Sequence, residues 1–236
     1  YYIVNVDQDF TATFSGLASG VTNNAYIELT NAGDHTVTWT NAAWDGGSEA
    51  PLLGESDAFD LAVASFDNVS FDVSGQETSP SALFLKDDGT KMYVLGFASD
   101  SVHQYTLSTS WDLNTASYDN VSFDVSGQDG FTGGVSFKTD GTKMYVSGIN
   151  SNSVFQYTLS TSWDLSTASY DNVSFNVSGQ LSAPQELYFT PSGDRMYAGR
   201  LGVIHQYTLS TPWDLSTASY DNVSFDATGQ DGAFGG

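Results

Sequence analysis

The stretch QYTLSTSWDLNTASYDNVSFDVSGQ fills residues 104–128. It returns almost letter for letter as QYTLSTSWDLSTASYDNVSFNVSGQ from Gln156 and as QYTLSTPWDLSTASYDNVSFDATGQ from Gln206. Anchored on Asp-Asn-Val-Ser, the copies start at Asp67, Asp119, Asp171 and Asp221, in steps of 52, 52 and 50 residues. A fainter copy, FDLAVASFDN from Phe59, aligns with WDLSTASYDN from Trp163 and carries the register back to Phe59. Such a period marks a small unit that cannot bury its apolar face alone and stacks on its neighbours.

Each unit holds four strand-like runs. In the first they are SALFL (81–85), KMYVLG (91–96), SVHQYTLS (101–108) and YDNVSFDVS (118–126). Asp88-Gly89 separates the first two, and Asp140-Gly141 and Ser192-Gly193 take its place in the next units. An Asp-Gly pair between alternating runs is a hairpin signal, because Gly accepts the positive φ of a tight turn. Four antiparallel strands in about 50 residues is the spacing of a β-propeller blade. The repeats resemble the DGTKMYV class of propeller repeats, related to the YVTN and lactonase-like propellers. Asp88-Gly89-Thr90-Lys91-Met92-Tyr93-Val94 and residues 140–146 carry the likeness, and Gly193-Asp194-Arg195-Met196-Tyr197-Ala198 departs from it.

The expected fold is therefore all-β. Residues 59–236 form four-stranded propeller-type blades, complete near 67–118, 119–170 and 171–220 and partial over 221–236. Three blades are fewer than the four to eight that close a ring. The ring is thus incomplete in this chain, and a fragment of a longer protein is expected, with completion by neighbouring chains as the alternative.

Residues 1–58 read differently. YYIVNV, FTATFSGL, AYIELTN and HTVTWT are strand-like runs between Gly, Asn and Asp turns, which suggests a small antiparallel β-sandwich or roll acting as an attachment module. FTATFSGL, the run from Ala25 to Gly47 and APLL together resemble a module of tailed-phage fibres and other virion structural proteins. That resemblance implies a virion appendage. Trp39 and Trp44 read as packing residues.

Composition narrows the function. With 28 acids against six bases the formal charge is −22, which repels nucleic-acid phosphate and anionic lipid. No run of 18 apolar residues is present, so no membrane-inserted helix is expected. Cysteine is absent, which removes disulfides and thiol chemistry.

Few residues are arranged for chemistry. His103 and His205 share a slot that holds Phe155 in the unit between, so the slot reads as packing, and His35 reads as surface. No catalytic residue is assigned and the chain is expected not to be an enzyme. Calcium is the one cofactor considered, at Asp87 and Asp88, although no Asp-x-Asp-x-Asp-Gly loop exists. Trp111, Trp163 and Trp213 anchor a loop and are candidate sugar-stacking platforms. Asn68, Asn120, Asn172 and Asn222 each open Asn-Val-Ser, the glycosylation acceptor pattern, against a plain Asp-Asn turn.

The expected function is a structural or adhesive virion appendage resembling a tail fibre. It would be homo-oligomeric or bound to other virion or surface proteins, and would present its propeller to a host surface or glycan. The alternatives are an extracellular or cell-surface repeat protein, adhesive or filamentous, and a lactonase-like hydrolase with carboxylates around the channel.

Overall fold

In the computed structural model the described residues are 65–229, together with the backbone of four short strands nearer the amino terminus. The chain divides into two compact units, Tyr1–Asp67 and Asn68–Gly236.

In the first unit β1 (Tyr2–Asn5) pairs with β3 (Ile27–Thr30), and β2 (Phe10–Thr13) pairs with β4 (Val37–Thr40). Both pairs are parallel, which corrects the expected antiparallel sandwich. Residue pattern marks a strand but not its direction. Each partner here lies beyond an intervening strand, which leaves chain enough for the crossover that parallel pairing needs. The side chains of His35, Trp39 and Trp44 lie outside the described residues.

The second unit holds three four-stranded antiparallel sheets, consistent with propeller blades. Blade one is β5 (Pro80–Leu85), β6 (Lys91–Gly96), β7 (Ser101–Leu107) and β8 (Ala116–Asp124). Blade two is β9 (Thr132–Phe137), β10 (Lys143–Gly148), β11 (Ser153–Leu159) and β12 (Ala168–Asn176). Blade three is β13 (Glu186–Phe189), β14 (Arg195–Arg200), β15 (Val203–Leu209) and β16 (Ala218–Asp226). In each, the strands pair in sequence order. The first strands, β5, β9 and β13, contact one another from blade to blade, so they are the inner ones. Among the described residues β5 and β13 do not pair, and no closed ring is formed.

Local chemistry explains the repeat. Gly89, Gly141 and Gly193 turn the first hairpin with φ of 69, 72 and 73°. Each also lies directly under the indole of its own blade's Trp111, Trp163 or Trp213, where a Cβ would collide with the ring. These tryptophans themselves sit at positive φ, and each donates its N–H to the glycine carbonyl. The next residue, Asp112, Asp164 or Asp214, caps a short 3₁₀ turn by accepting an N–H two residues on.

Within the blades the Asp-Asn pairs at 119, 171 and 221 are not turns. Gln104 pairs with Val121 and the adjacent Tyr105 with Tyr118, so Asp119 and Asn120 are extra residues in the middle of the outer strand. This is a β-bulge, and Asn120, Asn172 and Asn222 take the left-handed conformation at φ 57–58° that Asn tolerates. The bulge turns Asp119 inward, where one oxygen accepts from Gln104 (2.7 Å), Thr106 (3.0 Å) and Lys91 (3.1 Å). Asp171 and Asp221 repeat the knot, with Arg195 in place of lysine in the third blade.

Neighbouring blades are joined by three recurring contacts. The Tyr93 hydroxyl donates to the Trp163 carbonyl at 2.7 Å, as Tyr145 does to Trp213 at 2.6 Å. Gln104, tied to its own Asp119, accepts the Leu165 N–H of the next blade at 2.9 Å, and Gln156 accepts from Leu215 at 2.8 Å. Phe123 stands edge-on to Tyr157 and Phe175 to Tyr207. Between these contacts Trp163 packs among Phe84, Tyr93 and Phe137, closing the core.

Candidate functional site

The blades agree at the end that carries the tryptophan turns and differ at the other. The differing end is built from the links into the inner strands and from the hairpins between the second and third strands. In blade one that hairpin is residues 97–100 and in blade two 149–152, whereas blade three closes with Leu201-Gly202 alone, both at positive φ. The short hairpin accounts for the step of 50 residues.

Each long hairpin is wrapped around a buried carboxylate. Glu77, 1% exposed, accepts N–H bonds from Ser79 (2.6 Å), Ala98 (3.2 Å) and Ser99 (3.1 Å). Asp129 accepts from Phe131 (2.9 Å) and Ser151 (2.7 Å). The carboxylates rest on Gly96 and Gly148, where any side chain would collide with them. Blade three has Leu181 at this point, buried and apolar, and its hairpin no longer needs an acceptor.

Blade one adds a further element. The Ser99 hydroxyl donates to Glu77 Oε2 at 2.7 Å and lies 2.9 Å from His103 Nε2. A carboxylate only accepts, so the single hydroxyl proton of Ser99 goes to Glu77. Ser99 Oγ must then accept from His103, which fixes the proton on Nε2. Nδ1 is left as a bare acceptor, and it has no partner. Burial holds the imidazole of His103, 6% exposed, below its ordinary pKa, with a smaller opposing effect from Glu77. For Glu77 burial works upward, but the Ser99 hydroxyl and the amides of Ser79, Ser99 and Ala98 outweigh it and keep the acid ionised. The counterpart in blade two has Asp129, Ser151 and Phe155; there the Ser151 hydroxyl is unpartnered and the histidine is missing.

This end of the blades is strongly negative. Burial raises the pKa of Asp100, and Asp124, Asp129 and Glu77 add to the rise. Of the six bases only Arg200 is here, bonded to the Ser182 carbonyl. The other five flank the opposite hairpins, paired with Asp88, Asp119, Asp140, Asp171 and Asp221.

The residues singled out in the sequence lie elsewhere. Trp163 and Trp213 pack between blades, Trp213 with 8% exposed, while Trp111 on the first blade is 56% exposed. Asn68, Asn120, Asn172 and Asn222 are exposed. Asp88 is engaged by Lys86 (2.6 Å) and Thr90 (2.6 Å) within its own hairpin, which pulls its pKa down to about 2. Among the described residues no three His, Asp or Glu gather as a metal site. Sequence reasoning missed Glu77, Asp129 and Ser99. Their signal was a carboxylate after Ser-Gly-Gln wherever the downstream hairpin is long.

No protein-family model and no curated protein matches the chain. Solved structures do. A putative 6-phosphogluconolactonase from Bacteroides fragilis is 14% identical, covering 63% of this chain and 39% of its own, with a TM-score of 0.45. The periplasmic gluconolactonase of Pseudomonas aeruginosa is 15% identical over 63% of this chain and 40% of its own, with a TM-score of 0.45. Hsv2 of Kluyveromyces lactis is 11% identical over 64% and 38%, at 0.41. The chain thus spans about two fifths of the length of each. Two of these three solved structures are described as lactonases, the last of the alternatives given above, and none as a virion protein, so the expectations of a virion appendage and of a chain that is not an enzyme are withdrawn.

Proposed function

We propose that this chain carries a hydrolytic site of the lactonase type, with Ser99 as nucleophile, Glu77 as proton acceptor and His103 as hydrogen-bond donor to the reacting oxygen. The observation that carries the reading is the placement of Ser99 Oγ between Glu77 Oε2 at 2.7 Å and His103 Nε2 at 2.9 Å. A nucleophile within hydrogen-bond reach of a base is the arrangement that acyl transfer requires.

In this mechanism Ser99 Oγ bonds to the lactone carbonyl carbon as its proton passes to Glu77. The ring C–O bond breaks, and the departing alkoxide takes that proton. Water then attacks the acyl-serine, Glu77 again accepting a proton, and the free hydroxy acid leaves with Ser99 restored. His103 Nε2–H stays bonded to Ser99 Oγ and stabilises negative charge on it as the proton leaves. Glu77 is a weak base because its pKa is depressed, so turnover is slow and persists into acid, failing only below the ordinary carboxylate range.

Charge selects the substrate. The acidic end, with one arginine, disfavours a phosphorylated ligand and suits an uncharged sugar lactone. The acidic exterior suits salty surroundings outside the cytoplasm, and among the described residues no helix is long and apolar enough to cross a membrane.

The test is lactone hydrolysis followed by acid release, with gluconolactone beside its 6-phosphate. Ser99→Ala is expected to lower kcat about 100-fold or more with the fold intact. Wild-type protein no faster than buffer, or an S99A variant as fast as wild type, would overturn the reading.

A further inference from the structure

At the variable end, the seam between blades one and two gathers oxygen atoms that no protein group satisfies. Blade one supplies Asp100, the last residue of the 97–100 hairpin. Its Oδ2 stands 3.9 Å from the point a Cβ on Gly130 would occupy, next to Asp129, and its Oδ1 is buried without a partner. Blade two supplies Asp129, Ser151 and Thr132. A Cβ on Gly148 would strike both Asp129 Oδ2 and Ser151 Oγ, so these two atoms flank one point on the sheet. Thr132 lies opposite Gly148 in the ladder between β9 and β10, and residues opposite one another share a face. Its neighbour Gly133 faces Pro184 and Gln185 of blade three, which leaves Thr132 facing blade one. Thr132 is 1% exposed, and its Oγ1, like Ser151 Oγ, has no hydrogen-bond partner. Beside them Phe97 of the hairpin stacks on Phe131 of the link at 4.4 Å.

The charge of the seam is also unbalanced. Among the described residues no base pairs with Asp100 or Asp129, since five of the six bases hold other aspartates and Arg200 holds the Ser182 carbonyl. Buried oxygens of this kind are costly unless a ligand fills the space between them. The matching seam between blades two and three has no such need. Asn152 takes the place of Asp100, and its Oδ1 accepts the Ala183 N–H at 2.6 Å. Leu181 replaces Asp129, Pro184 replaces Thr132, and the two-residue hairpin of blade three has no counterpart of Ser151. All four oxygen donors disappear together, so they act as a set.

We propose that the seam between blades one and two binds a calcium ion through the carboxylates of Asp100 and Asp129 and the hydroxyls of Thr132 and Ser151. Every donor is a hard oxygen, two carboxylates balance a divalent charge, and calcium accepts ligands drawn from separate loops. Water completes the shell, because two acidic side chains and not three meet here. The ion ties the hairpin of blade one to the link of blade two, and the site stands whether or not Ser99 is reactive.

The test is calcium titration of the metal-stripped 236-residue protein by calorimetry, at an ionic strength of about 0.15 M to screen diffuse attraction to the acidic surface. One ion per chain, with a dissociation constant on the order of 0.1–1 mM, is the expected result. Asp100→Asn installs the residue of blade two and should weaken binding about tenfold or more. Asp124→Asn removes the same charge from an exposed position at the same end and should leave binding within about twofold. Thr132→Val deletes a hydroxyl that bonds to nothing in the protein, so its thermal midpoint without calcium should equal or exceed that of wild type, while calcium raises it less. No binding by wild type, wild-type binding by Asp100→Asn, or equal weakening by Asp100→Asn and Asp124→Asn would overturn the proposal. So would a Thr132→Val midpoint that calcium raises as far as in wild type.

Discussion

At the scale of single residues, backbone conformation and close approach act together at the hairpin glycines. Gly141 has positive φ and its Trp163 occupies the space a side chain would need, so Gly141→Ala is expected to cost about 2–4 kcal/mol in urea unfolding. Gly127 has open space around it, and Gly127→Ala should stay within about 1 kcal/mol of wild type. His103 gives a prediction in pH. Burial depresses its folded pKa, so its contribution is complete above the unfolded value of about 6.5 and is lost as pH falls toward and through the folded one. His103→Phe, the residue that blade two uses, should flatten the stability profile measured from pH 7 to 5. The hairpin glycines were legible because Asp-Gly has one meaning between alternating runs. Glu77 was not, since Glu77, Asp129 and Leu181 differ in type and lie where the repeats diverge.

At the scale of elements, the knot at the bulge fixes each outer strand and the glutamine carries it to the next blade. Burial works to raise the pKa of Asp171, but bonds from Gln156, Thr158 and Lys143 prevail and lower it. Gln156 also satisfies the buried Leu215 N–H, whereas among the described residues the Gln206 side chain bonds only to Asp221 of its own blade. Gln156→Ala should therefore cost about 1–3 kcal/mol more than Gln206→Ala, read as the difference between their thermal or urea transitions. Equal costs would mean that the bridge to Leu215 contributes nothing. The four strands of the first blade could be read from alternation and turn residues, each within about two residues of its bounds, and the repeat implies the same four in the other two blades. The bulge could not. Asp-Asn has the composition of a turn, and only the pairing of Gln104 with Val121 beside Tyr105 with Tyr118 shows two residues folded out of the ladder.

At the scale of the whole molecule, repetition and variation divide the work. The near-identical end holds the stack together through tryptophan, tyrosine and glutamine contacts, while the variable end differs in hairpin length, carboxylate and histidine from blade to blade. Near-identity suggested a scaffold because the near-identical stretches hold the packing contacts, while the proposed nucleophile lies at the end where the blades differ. The central claim is that Ser99, held between Glu77 and His103, is a nucleophile. Its most direct test is to treat the protein with a fluorophosphonate and measure intact mass and modified peptides. A single adduct on Ser99, slowed by Glu77→Gln and abolished by Ser99→Ala, is the expected result. Protein that stays unmodified, or that is labelled equally at Ser151, where the histidine is missing, would contradict it.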